Sequence, residues 1–336
     1  MIPETRSRVQ ASAWQKALAD GFCDVSSLLE YLQIEASAVT DHTQASQQFA
    51  LRVPRVFAEL MHKGDPRDPL LLQVLPTAKE MEPASGFIAD PVGDHNAAHG
   101  PGLLQKYHGR ILIITTGACA VHCRYCFRRH YPYTGATAST GQWRHVMEYL
   151  RANPTVEEVI LSGGDPLMAS DQKLAGWLQQ LEALPQIKRL RIHTRLPVVL
   201  PQRITDGLLS LLEGCALSKV MVIHANHPNE LAPALADGMK KLAAAGVTLL
   251  NQSVLLKGVN DNCDTLARLS YRLFEMGVLP YYLHLLDRVA GAAHFELEEE
   301  AVKGLHKQLL TELPGYLMPK MVREIAGAPH KTPIQG

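Results

Sequence analysis

Three cysteines fall within eight residues, Cys119-Ala120-Val121-His122-Cys123-Arg124-Tyr125-Cys126. Thiolates spaced C-x3-C-x2-C in one loop can converge on one metal centre. Four thiolates saturate a cubane iron–sulfur cluster, whereas three leave one iron open to an exogenous ligand. A structural zinc completed by His122 or His130 is the alternative, but zinc sites commonly show a second ligand pair farther along, and none follows here. The remaining cysteines, Cys23, Cys215 and Cys263, are scattered and read as packing residues rather than a disulfide framework. A second signal is Ser162-Gly163-Gly164-Asp165-Pro166. Two glycines let a backbone approach a ligand closely, although Gly-Gly-Asp alone also makes an ordinary turn.

The chain that must position these groups has 336 residues, 46% hydrophobic and 20% charged, which excludes disorder as its main state. Lys plus Arg and Asp plus Glu number 33 each, so no global charge draws it to nucleic acid or an anionic membrane. No apolar run reaches the roughly 18 residues of a membrane span. Met1–Arg6 lacks the basic start and apolar run of a signal peptide, which predicts a cytoplasmic protein.

Residues 1–105 read as a helical N-terminal region with helical spacing over Ser12–Phe22, Val25–Ile34 and Gln47–His62, the last interrupted by Pro54, then turn formers and no strand alternation. Beyond Arg110 short apolar runs alternate with amphipathic stretches. The expected strands are Ile111–Thr115, Glu158–Leu161, Arg189–His193, Lys219–His224, Thr248–Leu255 and Tyr281–Leu286. The expected helices are Gly141–Ala152, Asp171–Leu184, Pro201–Leu212, Asn229–Ala245, Asn262–Met276 and Leu297–Thr311. Strands alternating with helices imply a parallel sheet with right-handed crossovers. Nearly every strand ends in polar residues, such as Arg195, His224 and Asp287. That pattern suits a barrel whose site gathers at one mouth, rather than a doubly wound sheet with one switch point. The fold class is therefore α/β, a partial (β/α)6 TIM-like barrel over 106–315, followed by a C-terminal segment, 316–336.

The three-Cys loop after the first strand and Gly-Gly-Asp after the second resemble the radical S-adenosylmethionine superfamily. Further runs narrow the likeness: Cys126-Phe127-Arg128-Arg129, Pro197–Thr205, His227-Pro228-Asn229-Glu230 and Asn251–Leu256 resemble the lysine 2,3-aminomutase family, from about residue 60 to Lys331. The resemblance implies a [4Fe-4S] cluster on Cys119, Cys123 and Cys126, with S-adenosylmethionine on its open iron, held by Gly163, Gly164 and Asp165. Arg195 and His224 fall in with these cofactor contacts. The resemblance also implies pyridoxal 5′-phosphate bound covalently by Lys331, in Gly327-Ala328-Pro329-His330-Lys331 where the family has a run of glycines. Arg110 is similar to its phosphate-binding arginine; Tyr107, Asn251 and Gln252 are similar to other contacts of that cofactor. For substrate, Arg128 resembles the partner of the lysine carboxylate. Asp287 and Glu324 stand where the family has two acids for the distant ammonium, with Glu324 in place of an Asp.

The reaction so implied takes a β-hydrogen from lysine with a 5′-deoxyadenosyl radical and moves the amino group from Cα to Cβ. An external electron donor is needed, and a homo-oligomer is compatible. Metabolic members carry a C-terminal extension with further cysteines. Its lack here resembles the branch whose product, (R)-β-lysine, a ligase attaches to elongation factor P. A free-standing aminomutase of lysine metabolism is the alternative, and a structural zinc or interaction protein the alternative from another class.

Overall fold

In the computed structural model, residues 12–134 and 140–334 are described; the Met1–Arg6 reading lies outside them. Among the described residues one sheet has nine strands in sequence order: β1 (Leu103–Tyr107), β2 (Arg110–Ile114), β3 (Glu158–Ser162), β4 (Arg189–Thr194), β5 (Ser218–His224), β6 (Val247–Val254), β7 (Leu279–His284), β8 (Lys320–Arg323) and β9 (Thr332–Pro333). β2 through β8 pair in parallel, and β1 and β9 pair antiparallel at the two edges. The expected partial (β/α)6 barrel is present, with β8 as one more parallel strand drawn from the C-terminal segment. No helix of the described residues is long and apolar enough to cross a membrane.

Strand periodicity builds the two layers. Alternate residues such as Val159, Leu161, Leu190, Ile192, Ile223 and Leu249 are buried under the helices. Their neighbours Ile160, Arg191, His193, His224 and Gln252 line the barrel interior, because successive side chains on a strand point to opposite faces. Ser170 and Asn262 cap their helices by accepting from the backbone N–H groups of Lys173 and Thr265. Gly246 and Gly277 close helices at φ 77° and 75°, the left-handed conformation that a C-terminal glycine adopts without strain.

Two helices differ from expectation. The stretch 201–212 is a short 3-10 turn, then a helix from Asp206 to Gly214 capped by Thr205. The next helix starts at Pro233, because Asn229 is held in a 3-10 turn that His227 caps. In the N-terminal region Gln47–His62 holds one short helix, Arg55–Ala58, after the expected interruption at Pro54, and only the last two residues of another, Thr43–Gln48. Pro54 favours extended backbone at Val53, which bridges Phe22 with hydrogen bonds of 2.8 and 2.9 Å. The irregular region also ends earlier than expected, at β1.

That region wraps the barrel more than it caps it. Its helices share the apolar core with the barrel's outer layer. The segment after them crosses the open side of the sheet, where Ile88 bridges Val289 and Gly93 lies against Ala326.

Candidate active site

The C-terminal ends of the strands surround one cavity of about 370 Å³, a size ordinary for a ligand site. Every residue given a cluster, cofactor or substrate role by the resemblance lines it except Asn251. Asn251 lies on the outer face of β6, bonded to both backbone groups of Ala225 and to Ser253 Oγ. Its neighbour Gln252 takes the inner face.

Cys119, Cys123 and Cys126 stand at one end of the cavity. Burial pushes the Cys119 thiol well up and, with Cys123 beside it, the Cys126 thiol to about 11. Three thiols crowded where charge is costly fit a cationic cluster, which keeps its ligands deprotonated. The histidines that could complete a zinc site are engaged elsewhere. His122 Nδ1 lies 2.8 Å from the carbonyl of Ala50, and His130 Nε2 lies 3.0 Å from that of Ala290.

The loop is anchored from the N-terminal region. Glu80 bonds Arg124 at 2.8 and 2.5 Å and Arg129 at 2.6 Å, all three groups buried. Behind Cys123, Arg195 donates to its Sγ at 2.7 Å and to Tyr125 Oη, Gln73 and Glu230. His224 sits 3.0 Å from the same Tyr125 hydroxyl, and burial holds its pKa well below the ordinary histidine value.

Gly-Gly-Asp has a packing reason. A Cβ on Gly163 would stand 2.6 Å from the Thr116 carbonyl oxygen; on Gly164, 2.3 Å from that of Ala118. Both glycines press on the backbone leading into Cys119. Asp165 spends its carboxylate on Thr194 Oγ1 and on the N–H groups of Leu167, Arg195 and Leu196, so it fixes the end of β4. We expect Gly164→Ala, which meets backbone and not a yielding side chain, to lose most of its iron and sulfide per chain. Analysis of anaerobically purified protein checks this; full iron content would show that the loop tolerates the shift.

At the other end, the β1–β2 turn makes Tyr107 and Arg110 direct partners, with the guanidinium 4.6 Å from the phenol ring centre. Arg110 has no acidic partner among the described residues, which suits a phosphate. Lys331 and Glu324 face each other across the β8–β9 hairpin and form an ion pair. Gly327, at φ 79°, supplies the turn that the family's glycines imply. These residues fit a covalently held pyridoxal phosphate.

Arg128 donates from Nε to Asp94 at 2.7 Å and from Nη1 to Ser162 Oγ at 3.2 Å. Lys106 Nζ lies 2.7 Å from the other oxygen of Asp94. Despite its burial, Asp94 is held below the usual carboxylate range by these two cations. Asp287 differs: its Oδ1 is buried without a partner among the described residues. Burial pushes its pKa up to about 7, against the pull of Lys331.

Sequence reasoning missed Asp94, Glu80, Lys106 and Gln73. The need of the buried arginines for acidic partners hinted at the two acids, though nothing local said which acid serves, and no signal pointed to Lys106 or Gln73. Glu230 stood in a run already singled out, yet its partner Arg195 is 35 residues away.

Residues 113–269 match the Radical SAM superfamily. The chain is 50% identical over 322 residues to the L-lysine 2,3-aminomutase of Escherichia coli (strain K12), covering 96% of this chain and 94% of that one. It is 49% identical to the L-lysine 2,3-aminomutase of Haemophilus influenzae, covering 99% and 98% of the two chains. The L-lysine 2,3-aminomutase of Clostridium subterminale is 32% identical, covering 96% of this chain and 77% of that one.

Proposed function

Because the chain belongs to the lysine 2,3-aminomutase family of radical S-adenosylmethionine enzymes, we propose that this cavity converts L-lysine to β-lysine. One observation carries the reading: a single cavity is lined by three thiols together with Lys331, Arg110 and the unpartnered Asp287. The cofactors are a [4Fe-4S] cluster, S-adenosylmethionine and pyridoxal 5′-phosphate. When bound, the first two supply a hydrogen-abstracting radical, and the third a π-system across which an amino group can move.

The chain's own residues do the rest. Cys119, Cys123 and Cys126 hold the cluster, and Gly163 and Gly164 keep the backbone low enough to shape its loop. Arg195 donates to Cys123 and, with His224, walls the space beside it. Arg110 and Tyr107 would hold the phosphate end of pyridoxal phosphate, Gln252 would be a further contact, and Lys331 would bind it covalently. Arg128, oriented by Asp94 and Ser162, offers Nη2, which has no partner among the described residues, to the substrate carboxylate. Asp287 receives the distant ammonium. Among the acids lining the cavity, Asp94, Asp165 and Glu324 are bonded already. One free carboxylate therefore meets one incoming ammonium, which favours lysine over an acidic amino acid. The wrapping segment that carries Asp94 closes the open side of the sheet and keeps water from the radical.

We further propose that the product is (R)-β-lysine, made in the cytoplasm for a ligase that attaches it to elongation factor P. The higher identity to the Escherichia and Haemophilus enzymes, 50% and 49% against 32% for the clostridial one, groups this chain with the former two, and the elongation factor P reading rests on the resemblance given above. Chiral analysis after anaerobic incubation with L-lysine, S-adenosylmethionine and a reductant tests both levels. (R)-β-lysine is expected; the (S) isomer would overturn the finer reading. No β-lysine from protein loaded with cluster and pyridoxal phosphate would overturn the activity.

A further inference from the structure

The two carboxylates at the far end of the cavity are not equivalent. Asp287 Oδ1 has no partner among the described residues. Glu324 is engaged through both oxygens: Oε2 accepts from Lys331 Nζ, and Oε1 accepts from Tyr107 Oη at 2.8 Å. Lys106 Nζ stands 3.6 Å from Oε1, but is tied more closely to Asp94, at 2.7 Å, and to the Val92 carbonyl, at 2.8 Å. The backbone enforces the Lys331 contact. Arg323 and Thr332 are partners in the hairpin, so the residues just beyond that pair, Glu324 and Lys331, face each other. Lys331, against the effect of burial, is the main influence holding Glu324 below its ordinary pKa.

We propose that Glu324 is a dock for Lys331: it holds that ammonium whenever Nζ is not bonded to pyridoxal phosphate, and leaves the substrate's distant ammonium to Asp287. Both roles presuppose the reading of Lys331 given above.

The chemistry closes. To bond the aldehyde, Nζ gives up a proton and leaves Glu324; one C=N bond forms and the aldehyde oxygen departs as water. When the α-amine of lysine takes over that carbon, its nitrogen replaces Nζ with no net water. The proton that the incoming ammonium sheds is accepted by Lys331, which returns to Glu324 as an ammonium. Two ammonium groups are then in the pocket, Lys331 and the far end of the substrate, and two carboxylates receive them. By holding the ammonium, Glu324 retards the first step and favours the second.

Full-length protein freed of pyridoxal phosphate is mixed with that cofactor at fixed neutral pH. The visible band of the C=N bond is followed, and the adduct is trapped with borohydride and located by mass. Glu324→Gln is expected to capture the cofactor about three- to tenfold faster than the parent, as loss of a partly buried ion pair implies. Once loaded, it should release Lys331 to added L-lysine less completely by a similar factor. The Asp287 carboxylate interacts with Lys331 without a hydrogen bond, so Asp287→Asn should change the capture rate less than Glu324→Gln does and should weaken the response to lysine. Glu324→Asp keeps the charge but shortens its reach, and should show both changes in weaker form, which keeps the test open if the glutamine variant does not fold. Capture by Glu324→Gln at the parent rate or slower, or an equal change in Asp287→Asn, overturns the dock. No adduct on Lys331 in the parent protein would instead overturn the cofactor assignment.

Discussion

Replacing Lys331 by alanine is expected to abolish the visible band of protein-bound pyridoxal phosphate and to lower lysine turnover by a factor on the order of 10³ or more, while iron and sulfide stay at the parent level. The separation follows from the geometry. Lys331 sits between Glu324 and the Tyr282 ring, whose centre is 5.6 Å from Nζ. The three-Cys loop is held from the opposite side by Glu80, Arg124 and Arg129. The two networks share no hydrogen bond among the described residues, so neither should report on the other. Lys331→Arg sharpens the result: it can keep the pair with Glu324 but cannot form a C=N bond, and should fail as completely as alanine. A Lys331→Ala protein that retains the band and turns lysine over would place the cofactor on another group.

How far the site could be read in advance depended on the range of the interactions. Six parallel strands were legible because each is an apolar run followed by polar residues and then a helix. β1, Leu-Leu-Gln-Lys-Tyr, and β8, Lys-Met-Val-Arg, are too short and mixed to stand out, and form as edge and closing strands of a sheet already built. The cavity could be drawn from the polar strand ends. The placement of Asn251 was avoidable in principle: successive residues of a regularly pleated strand face opposite sides, and in β6 Gln252 takes the inner one. The pairing of Arg128 with Asp94, or Arg195 with Glu230, was not legible, since spacing along the chain carries no trace of contacts made across the barrel mouth. The glycines at 163 and 164 were noticed for close approach; in the structure they approach the backbone of residues 115–118 and also line the cavity, and only the second of these was legible.

Asp287→Asn is expected to lower kcat/KM for lysine by about 10²–10³-fold, the cost of leaving a buried ammonium without its carboxylate, with little change in iron content. The same residue sets an acid limb. Its pKa is raised by burial to about 7, and only the ionised form can pair with an ammonium. Lys331 is the stronger of two cations, with Lys106, that pull this pKa down. Once Nζ is bonded to the cofactor that ammonium is gone, so in the loaded protein, the form that turns over, the limb should lie above that value. For the parent protein kcat/KM should therefore fall about tenfold per unit on the acid side of that limb. Asp287→Asn should have a low, flat profile over the same range; a parent profile flat down to pH 5 would refute the anchor. The sign for stability is opposite. Between the ordinary carboxylate value and about 7 the folded chain keeps a proton that the unfolded chain has lost, so this group's contribution falls as pH rises through that window. Above it, the parent holds an unpaired buried charge that asparagine does not have. The inactive variant should consequently melt several degrees higher than the parent at pH 8 in the absence of lysine, and the gap should narrow when saturating lysine gives Asp287 its partner.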